Sequence, residues 1–319
     1  MVEKTTNSNY TIITAGSNYL DIDAYACCVA MKELLKLKGE NVIAYSSAIC
    51  NYSVCKSLVQ EGQIMRTLPS DCNATTAKYI IVDVSDPDFI KDIVPIENVT
   101  EVYDHHVGFE EYWKSRIGND SHIEFIGAAA TLIYREWKRL GLQDKMSRQT
   151  ALLLIAAILD NTINLISSNT TSADIEAFNE LSKKFDVDEE WCASYFSQVQ
   201  ASILSDMENA LFNDIKRIRD NEVLPEGFAQ LCIWDAVAVI ENLSEIRKML
   251  CNCYNSWMIN VIDIKHRCSY FVCDDVKYQK EIEKVFEVNF VSGVAKTKIP
   301  YLRKEIIKRQ RDVASNSGR

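Results

Sequence analysis

Four short apolar runs, each closing on polar residues and separated by helical patterns, constrain the N-terminal half of this chain more than any other feature. They are YTIITAG (10–16), NVIAYSS (41–47), KYIIVDVSD (78–86) and VTEVYDHH (99–106). Their apolarity is continuous rather than alternating, which predicts strands covered on both faces, as in a parallel sheet. Between the first two, AYACCVAMKELLKLKG (24–39) has helical spacing and stops at Gly39. Further helices are predicted at 127–141, at 148–160 and after a Thr171/Ser172 cap. Strands alternating with helices imply crossover units. The expected fold is α/β: a mainly parallel, five-or-so-stranded sheet with helices on both faces in a domain spanning 1–198, then a smaller α/β domain spanning 206–319. The smaller unit is read from FAQLCIWDAVAV, a helix at 241–252, WMINVIDIKH, SYFVCDD and a charged helix at 277–285. The stretch 187–210 reads as helical, with a linker expected near 198–206, and the tail ASNSGR is expected to be disordered.

Composition closes off other classes. With 10 glycines and 5 prolines in 319 residues, collagen-like and linker-dominated architectures are excluded. No apolar run approaches the ~18 residues of a membrane span, and MVEKTTNSNY has no secretion-signal pattern. A cytoplasmic protein with reduced thiols is expected. A net charge of −10 argues against general affinity for long nucleic acids. The 11 cysteines show no paired C-x-x-C zinc spacing, and Cys27-Cys28 sit in an apolar run where cysteine packs as a small hydrophobe.

In open α/β sheets ligands bind beyond the carboxyl ends of the strands. Acidic and imidazole groups fall at such points: Asp21-x-Asp23 after the first strand, Asp83 after the third, and Asp104-His105-His106 after the fourth. A fourth cluster, Asp160-Asn161-Thr162, ends an apolar helix. Taken singly, each also fits a helix cap or a turn. Together they form a set of carboxylates with imidazole, the donors that suit Mn²⁺ or Mg²⁺. Shared carboxylates can hold two ions about 3.5–4 Å apart for phosphoryl hydrolysis.

In order and spacing these clusters resemble the four motifs of the DHH phosphoesterase superfamily. GAAATLI (127–133) resembles the helix start that follows the family's third motif, and Asn164-Leu165 with Thr170-Thr171-x-x-Asp174-Ile175 fits the segment after the fourth. LFNDIK (211–216) and VAKTKIPYL (294–302) resemble the lysine-bearing start and the basic, proline-terminated segment of the smaller domain in manganese-dependent pyrophosphatases and prune-like exopolyphosphatases. The resemblance covers nearly the whole chain. It implies two Mn²⁺ or Mg²⁺ ions held by Asp21, Asp23, Asp83, His105 and Asp160. Asp104 would orient His105, His106 would face the phosphate, and Lys216, Lys296 and Lys298 would be supplied by the C-terminal domain. The implied reaction is cleavage of phosphoanhydride bonds in polyphosphate or pyrophosphate by a metal-bridging hydroxide.

Three departures from the pyrophosphatase pattern stand out. Ser17 takes the frame of the first-motif histidine, which implies one weakened metal site. Asn161 takes the frame of the fourth-motif acid, so Asp160 would have to substitute for it. Val294-Ala295-Lys296 replaces a Ser-Arg-Lys, removing a guanidinium fork for phosphate. These leave two alternatives open: a phosphodiesterase on short oligonucleotides or nucleotides, and a catalytically weakened homologue that binds a phosphate ligand or a protein. Between Lys296 and Arg311 the chain also carries Lys298, Arg303, Lys304, Lys308 and Arg309 against Glu305. That strip reads either as a solvated helix face or as a guide for a polyanion.

Overall fold

The computed structural model describes residues 10–16, 19–218 and 223–317. Ser17, with the departure read at it, lies outside these residues. Contacts divide the chain into two units, Met1–Leu165 with Asn169–Cys192, and Ile166–Ser168 with Ala193–Arg319.

In the first unit the apolar runs become strands, as their continuous burial demands. Its elements are β1 (Thr11–Thr14), β2 (Tyr19–Leu20), α1 (Ile22–Leu37), β3 (Val42–Ala44), β4 (Ile49–Cys50), β5 (Lys78–Val82) and β6 (Val99–Asp104). They continue with α2 (Glu110–Ile117), β7 (Ser121–Ile123), α3 (Ala129–Arg139), α4 (Arg148–Asn161) and α5 (Ser172–Phe185). Five strands form one sheet in the order β3-β1-β5-β6-β7, parallel throughout; β2 and β4 pair separately. Ile12, Tyr79, Ile81 and Val102 pack with Trp113 of α2 on one face. Strand alternation sends Ile13, Ile80 and Val82 to the other, where α1, α3 and α4 gather. Helix α4 is apolar nearly all round, and Leu153 through Leu159 are buried without a break; a helix of that composition must lie inside the structure. The sheet with helices on both faces agrees with the fold expected from sequence.

The second unit comprises the rest of α6 (Glu189–Ser205), then α7 (Met207–Asp214), β8 (Lys216–Arg217), β9 (Gly227–Ile233), α8 (Val237–Ile240), α9 (Leu243–Cys253) and β10 (Trp257–Asp263). It closes with β11 (Cys268–Val272), α10 (Val276–Phe286), β12 (Val294–Lys296) and α11 (Arg303–Ser317). Its sheet runs β12-β11-β10-β9-β8, with β9 and β10 parallel and the remaining pairs antiparallel. Phe228, Met258, Phe271 and Ala295 form its core with Ile282 and Phe286 of α10 and Ile306 of α11.

Two expectations change here. Helix α6 runs to Ser205, through most of the stretch read as a linker. Helix α11 runs to Ser317, so most of the tail expected to be disordered is helical. Among the described residues no helix is long and apolar enough to cross a membrane.

Candidate metal centre

The chain turns sharply where β5 ends. Asp83 takes φ +57°, a left-handed conformation that non-glycine residues avoid and that costs on the order of 1–3 kcal/mol. Its backbone N–H donates to the Tyr103 carbonyl at 2.8 Å, which ties the turn to the end of β6. The Asp83 carboxylate is largely buried, and its Oδ1 has no hydrogen-bond partner. His105 Nε2 lies 3.4 Å from that oxygen and His106 Nδ1 lies 4.0 Å from it. These three residues form a group whose ligand atoms are close enough to share one cation.

The two histidines differ in what holds them. His105 Nδ1 meets the Ile126 carbonyl at 3.2 Å. A carbonyl only accepts, so Nδ1 carries a proton there and the ring turns its Nε2 toward Asp83. His106 accepts its place from Asp104 instead: its backbone N–H and its Nδ1 donate to Asp104 Oδ1 at 3.1 and 2.9 Å. Asp104 thus orients His106, not His105 as the resemblance implied, and His105 is fixed by main chain. The two rings stand edge to face, 4.2 Å between centroids.

The protonation states follow this arrangement. Burial pushes the Asp83 carboxyl well above the usual carboxylate range, and the charges of Asp21 and Asp23 push it further. Burial works against the charged form of Asp104, but the hydrogen bonds and charge of His106 together with the Ser85 hydroxyl outweigh it and hold that carboxyl low. Partial burial opposes a charged His106, yet Asp104 raises its pKa overall.

Asp23 is fully buried and sits under the N-terminus of α3. Its Oδ2 accepts from Ala129 N–H at 2.8 Å and Asn161 Nδ2 at 2.6 Å. Its Oδ1 accepts from Ala130 N–H at 2.8 Å and faces the Cys27 thiol at 3.5 Å. Burial pushes its carboxyl up to about 6, against the pull of His105. Asp21 caps α1 through Ala24 N–H at 2.9 Å, and its charge is felt at Asp83. From the fourth cluster, the residue brought to Asp23 is Asn161. Asp160 is placed where its charge adds to burial in raising the Cys55 thiol, and it is not in the Asp83 group.

Sequence reasoning did not assign Asp174 its role. Fully buried, it accepts from Gly127 N–H at 2.9 Å, Thr131 Oγ1 at 2.6 Å and Thr171 N–H at 2.8 Å. A Cβ on Gly127 would fall 2.6 Å from the Asp174 carboxylate, so only glycine fits there. The signal in sequence was Thr171-x-x-Asp174, a capping-box spacing. The Ile126 carbonyl that fixes His105 left no signal, because any residue supplies one.

In the second unit, β8 and β12 are opposite edges of the sheet. Lys216 and Lys296 are therefore about four strand spacings, roughly 19 Å, apart across the backbone. Lys216 pairs with Phe228 and Lys296 with Tyr270, rows that project to opposite faces. The two lysines, both expected to reach the phosphate, thus stand on opposite edges and faces of one sheet. Lys296 Nζ stands 5.2 Å over the Tyr270 ring, and the Tyr270 hydroxyl raises its pKa. Lys298 lies exposed just beyond the same strand. In the basic strip, Arg303 is buried and committed to structure: it donates to both carboxylate oxygens of Asp214 at 2.6 and 3.1 Å and to the Phe228 carbonyl. Arg309 lies over the Tyr301 ring, while Lys304 and Lys308 are exposed.

The donor set in the first unit fits a hard or borderline divalent cation. His105 Nε2 and the buried, unpartnered Asp83 Oδ1 face one another 3.4 Å apart, an imidazole and a carboxylate of the kind such an ion takes.

Comparison with known proteins bears on the fold. No family model matches the chain. A manganese-dependent inorganic pyrophosphatase of Methanothrix thermoacetophila is 28% identical over 184 residues, 56% of this chain and 57% of that protein; the match thus takes in little more than half of the relative's length. Among solved structures, a Methanococcus jannaschii protein assigned to the family II inorganic pyrophosphatases aligns with TM-score 0.64 at 18% identity, covering 94% of this chain and 98% of that one. An exopolyphosphatase-related protein of Bacteroides fragilis aligns with TM-score 0.52 at 12% identity, covering 98% and 93%. The chain resembles the DHH phosphoesterase superfamily in fold and motifs. Within it, the resemblance is to the two-domain branch of manganese-dependent pyrophosphatases and exopolyphosphatases.

Proposed function

We propose that this protein is a divalent-metal-dependent phosphohydrolase that cleaves the phosphoanhydride bonds of pyrophosphate or polyphosphate, with Mn²⁺ or Mg²⁺ as its cofactor. The observation that carries the reading is the buried Asp83 Oδ1 with no hydrogen-bond partner, faced by His105 Nε2 at 3.4 Å. Asp83 and His105 would hold the cation, and Asp21 adds negative charge beside them. When bound, a divalent ion supplies Lewis-acid polarisation of phosphoryl oxygens. His106 keeps its Nδ1 proton on Asp104 and its raised pKa favours the protonated ring. Its Nε2–H is then a cationic donor for a phosphate oxygen, stabilising charge as the P–O bond breaks. Of the lysines, Lys296 and Lys298 share one sheet edge and suit neighbouring phosphates of one chain, while Lys216 acts apart from them.

The Asn161 amide on Asp23 favours a second reading, in which the chain binds a phosphate ligand with little or no turnover. A phosphate-release screen with Mn²⁺ titration separates the two, run over pyrophosphate, tripolyphosphate, long polyphosphate and short dinucleotides. Metal-dependent release from the anhydrides is expected. Release from dinucleotides alone would move the assignment to a phosphodiesterase, and none from any substrate would leave the binding protein.

A further inference from the structure

Asp23 has no room for a metal. An ionised carboxylate offers about four lone-pair sites. Here the fully buried group meets four donors: the N–H groups of Ala129 and Ala130 at 2.8 Å each, the Asn161 amide at 2.6 Å and the Cys27 thiol at 3.5 Å. The two backbone donors are the first residues of α3, whose N-cap Ala128 contributes no side chain. Asp23 therefore serves as that helix's anionic cap. Because Asp23 only accepts, the amide of Asn161 must present its NH₂ to it and turn its carbonyl oxygen away. An acid at 161 would set two carboxylates against each other, a pair that needs a shared proton or a cation between them.

We propose that the centre takes a single divalent cation, on Asp83 and His105, and that the Asn161 amide occupies the place beside Asp23 where a second cation would otherwise be needed. This rests on the metal-dependent reading above and departs from the two-ion expectation carried by the resemblance. With one ion fewer, the His106 ring held by Asp104 remains as a source of positive charge for the phosphate.

The test is Mn²⁺ stoichiometry of the full-length protein, followed by electron paramagnetic resonance of the bound ion during titration to millimolar Mn²⁺. The wild type is expected to bind one Mn²⁺ per chain, with an uncoupled spectrum. Asn161→Asp is expected to bind two, with the broadening of a coupled pair. Asn161→Ala removes the amide without adding charge and is expected to keep one Mn²⁺, with Kd within about threefold, which guards against misfolding of the aspartate variant. Two ions in the wild type would overturn the single-ion proposal and leave the metal-dependent reading intact. Loss of the ion in a folded Asn161→Ala would do the same, since Asn161 would then be a ligand. No bound Mn²⁺ in the wild type would overturn both.

Discussion

The two units use the same local device in different settings. In each, two neighbouring parallel strands finish beside one another, and a buried aspartate holds a histidine a few residues further on by both its backbone N–H and its ring. In the first unit the pair is Asp104 and His106, at 3.1 and 2.9 Å; in the second it is Asp263 and His266, at 2.9 and 3.0 Å. A second acid stands by in both, Asp83 and Asp235. In the second unit the protein closes the charges itself. Lys265 reaches Asp235 at 2.9 Å, and its hydrogen bond holds that carboxyl low. The other oxygen of Asp263 accepts from Ala236 N–H at 3.1 Å. Asp83 has no such closure, and its carboxyl rises instead. The Asp–His turn is thus a fastening in both places, and only in the first does it adjoin the proposed cation seat at Asp83. The difference lies in buried carboxylate oxygens left unanswered in the first unit, Asp83 Oδ1 and Asp104 Oδ2.

The sharpest way to break this contrast is Asp83→Asn. Metal-dependent phosphate release is expected to fall at least about 100-fold, or ~2.7 kcal/mol of barrier. The metal-free protein should respond the other way. Asp83 has its folded pKa raised, so the native state holds a proton that the unfolded state gives up, and stability falls as pH rises from the ordinary carboxylate range through the folded value. Removing that charge should stabilise the metal-free protein at neutral pH by about 1–3 kcal/mol. Melting curves in chelator at pH 5 and pH 8 check this; a variant less stable than wild type at pH 8 would show Asp83 already paired.

Asp104→Asn comes next. It removes the charge that raises His106, so the alkaline limb of the kcat profile should move to lower pH, with a loss of about 10-fold at pH 8. The linkage has the matching sign: the His106 contribution to stability is complete below the unfolded histidine pKa and is lost as pH rises through the folded one. An unmoved limb would take His106 out of the protonated role.

In the second unit, Asp263→Ala strips two capped N–H groups of their acceptor. It should cost about 1–3 kcal/mol in denaturant melts while leaving Mn²⁺ stoichiometry as it was. A changed stoichiometry would erase the contrast between the two turns. The smallest effect is expected from charge reversal at the exposed Lys304 and Lys308. It should raise KM for long polyphosphate a few-fold more than for pyrophosphate, and the gap should close as salt shortens the Debye length from about 10 Å at 0.1 M to about 3 Å at 1 M. Equal effects on both substrates would return the strip to a solvated helix face.

Much of the first unit is legible because burial on both faces writes continuous apolar runs. What escapes is what little burial writes. Helix α2 buries only Trp113 among charged neighbours, and β7 is three half-buried residues at a sheet edge. At the site, acids at successive strand ends are visible from sequence alone, as is the histidine pair. Their partners are not. Asp104 serves His106 and Asn161 serves Asp23 because of where helices α3 and α4 bring the chain, and no local pattern encodes that. The separation of Lys216 from Lys296 depends on strand order, which pairing across distant segments decides.

The central claim is that a cation belongs at Asp83 and His105 and nowhere comparable in the second unit. Anomalous diffraction at the manganese edge, from crystals grown in millimolar Mn²⁺, tests it directly. The account predicts a peak within bonding distance of Asp83 Oδ1 and His105 Nε2, with no peak at Asp235, Asp263 and His266. Density at the second cluster and none at the first would contradict it.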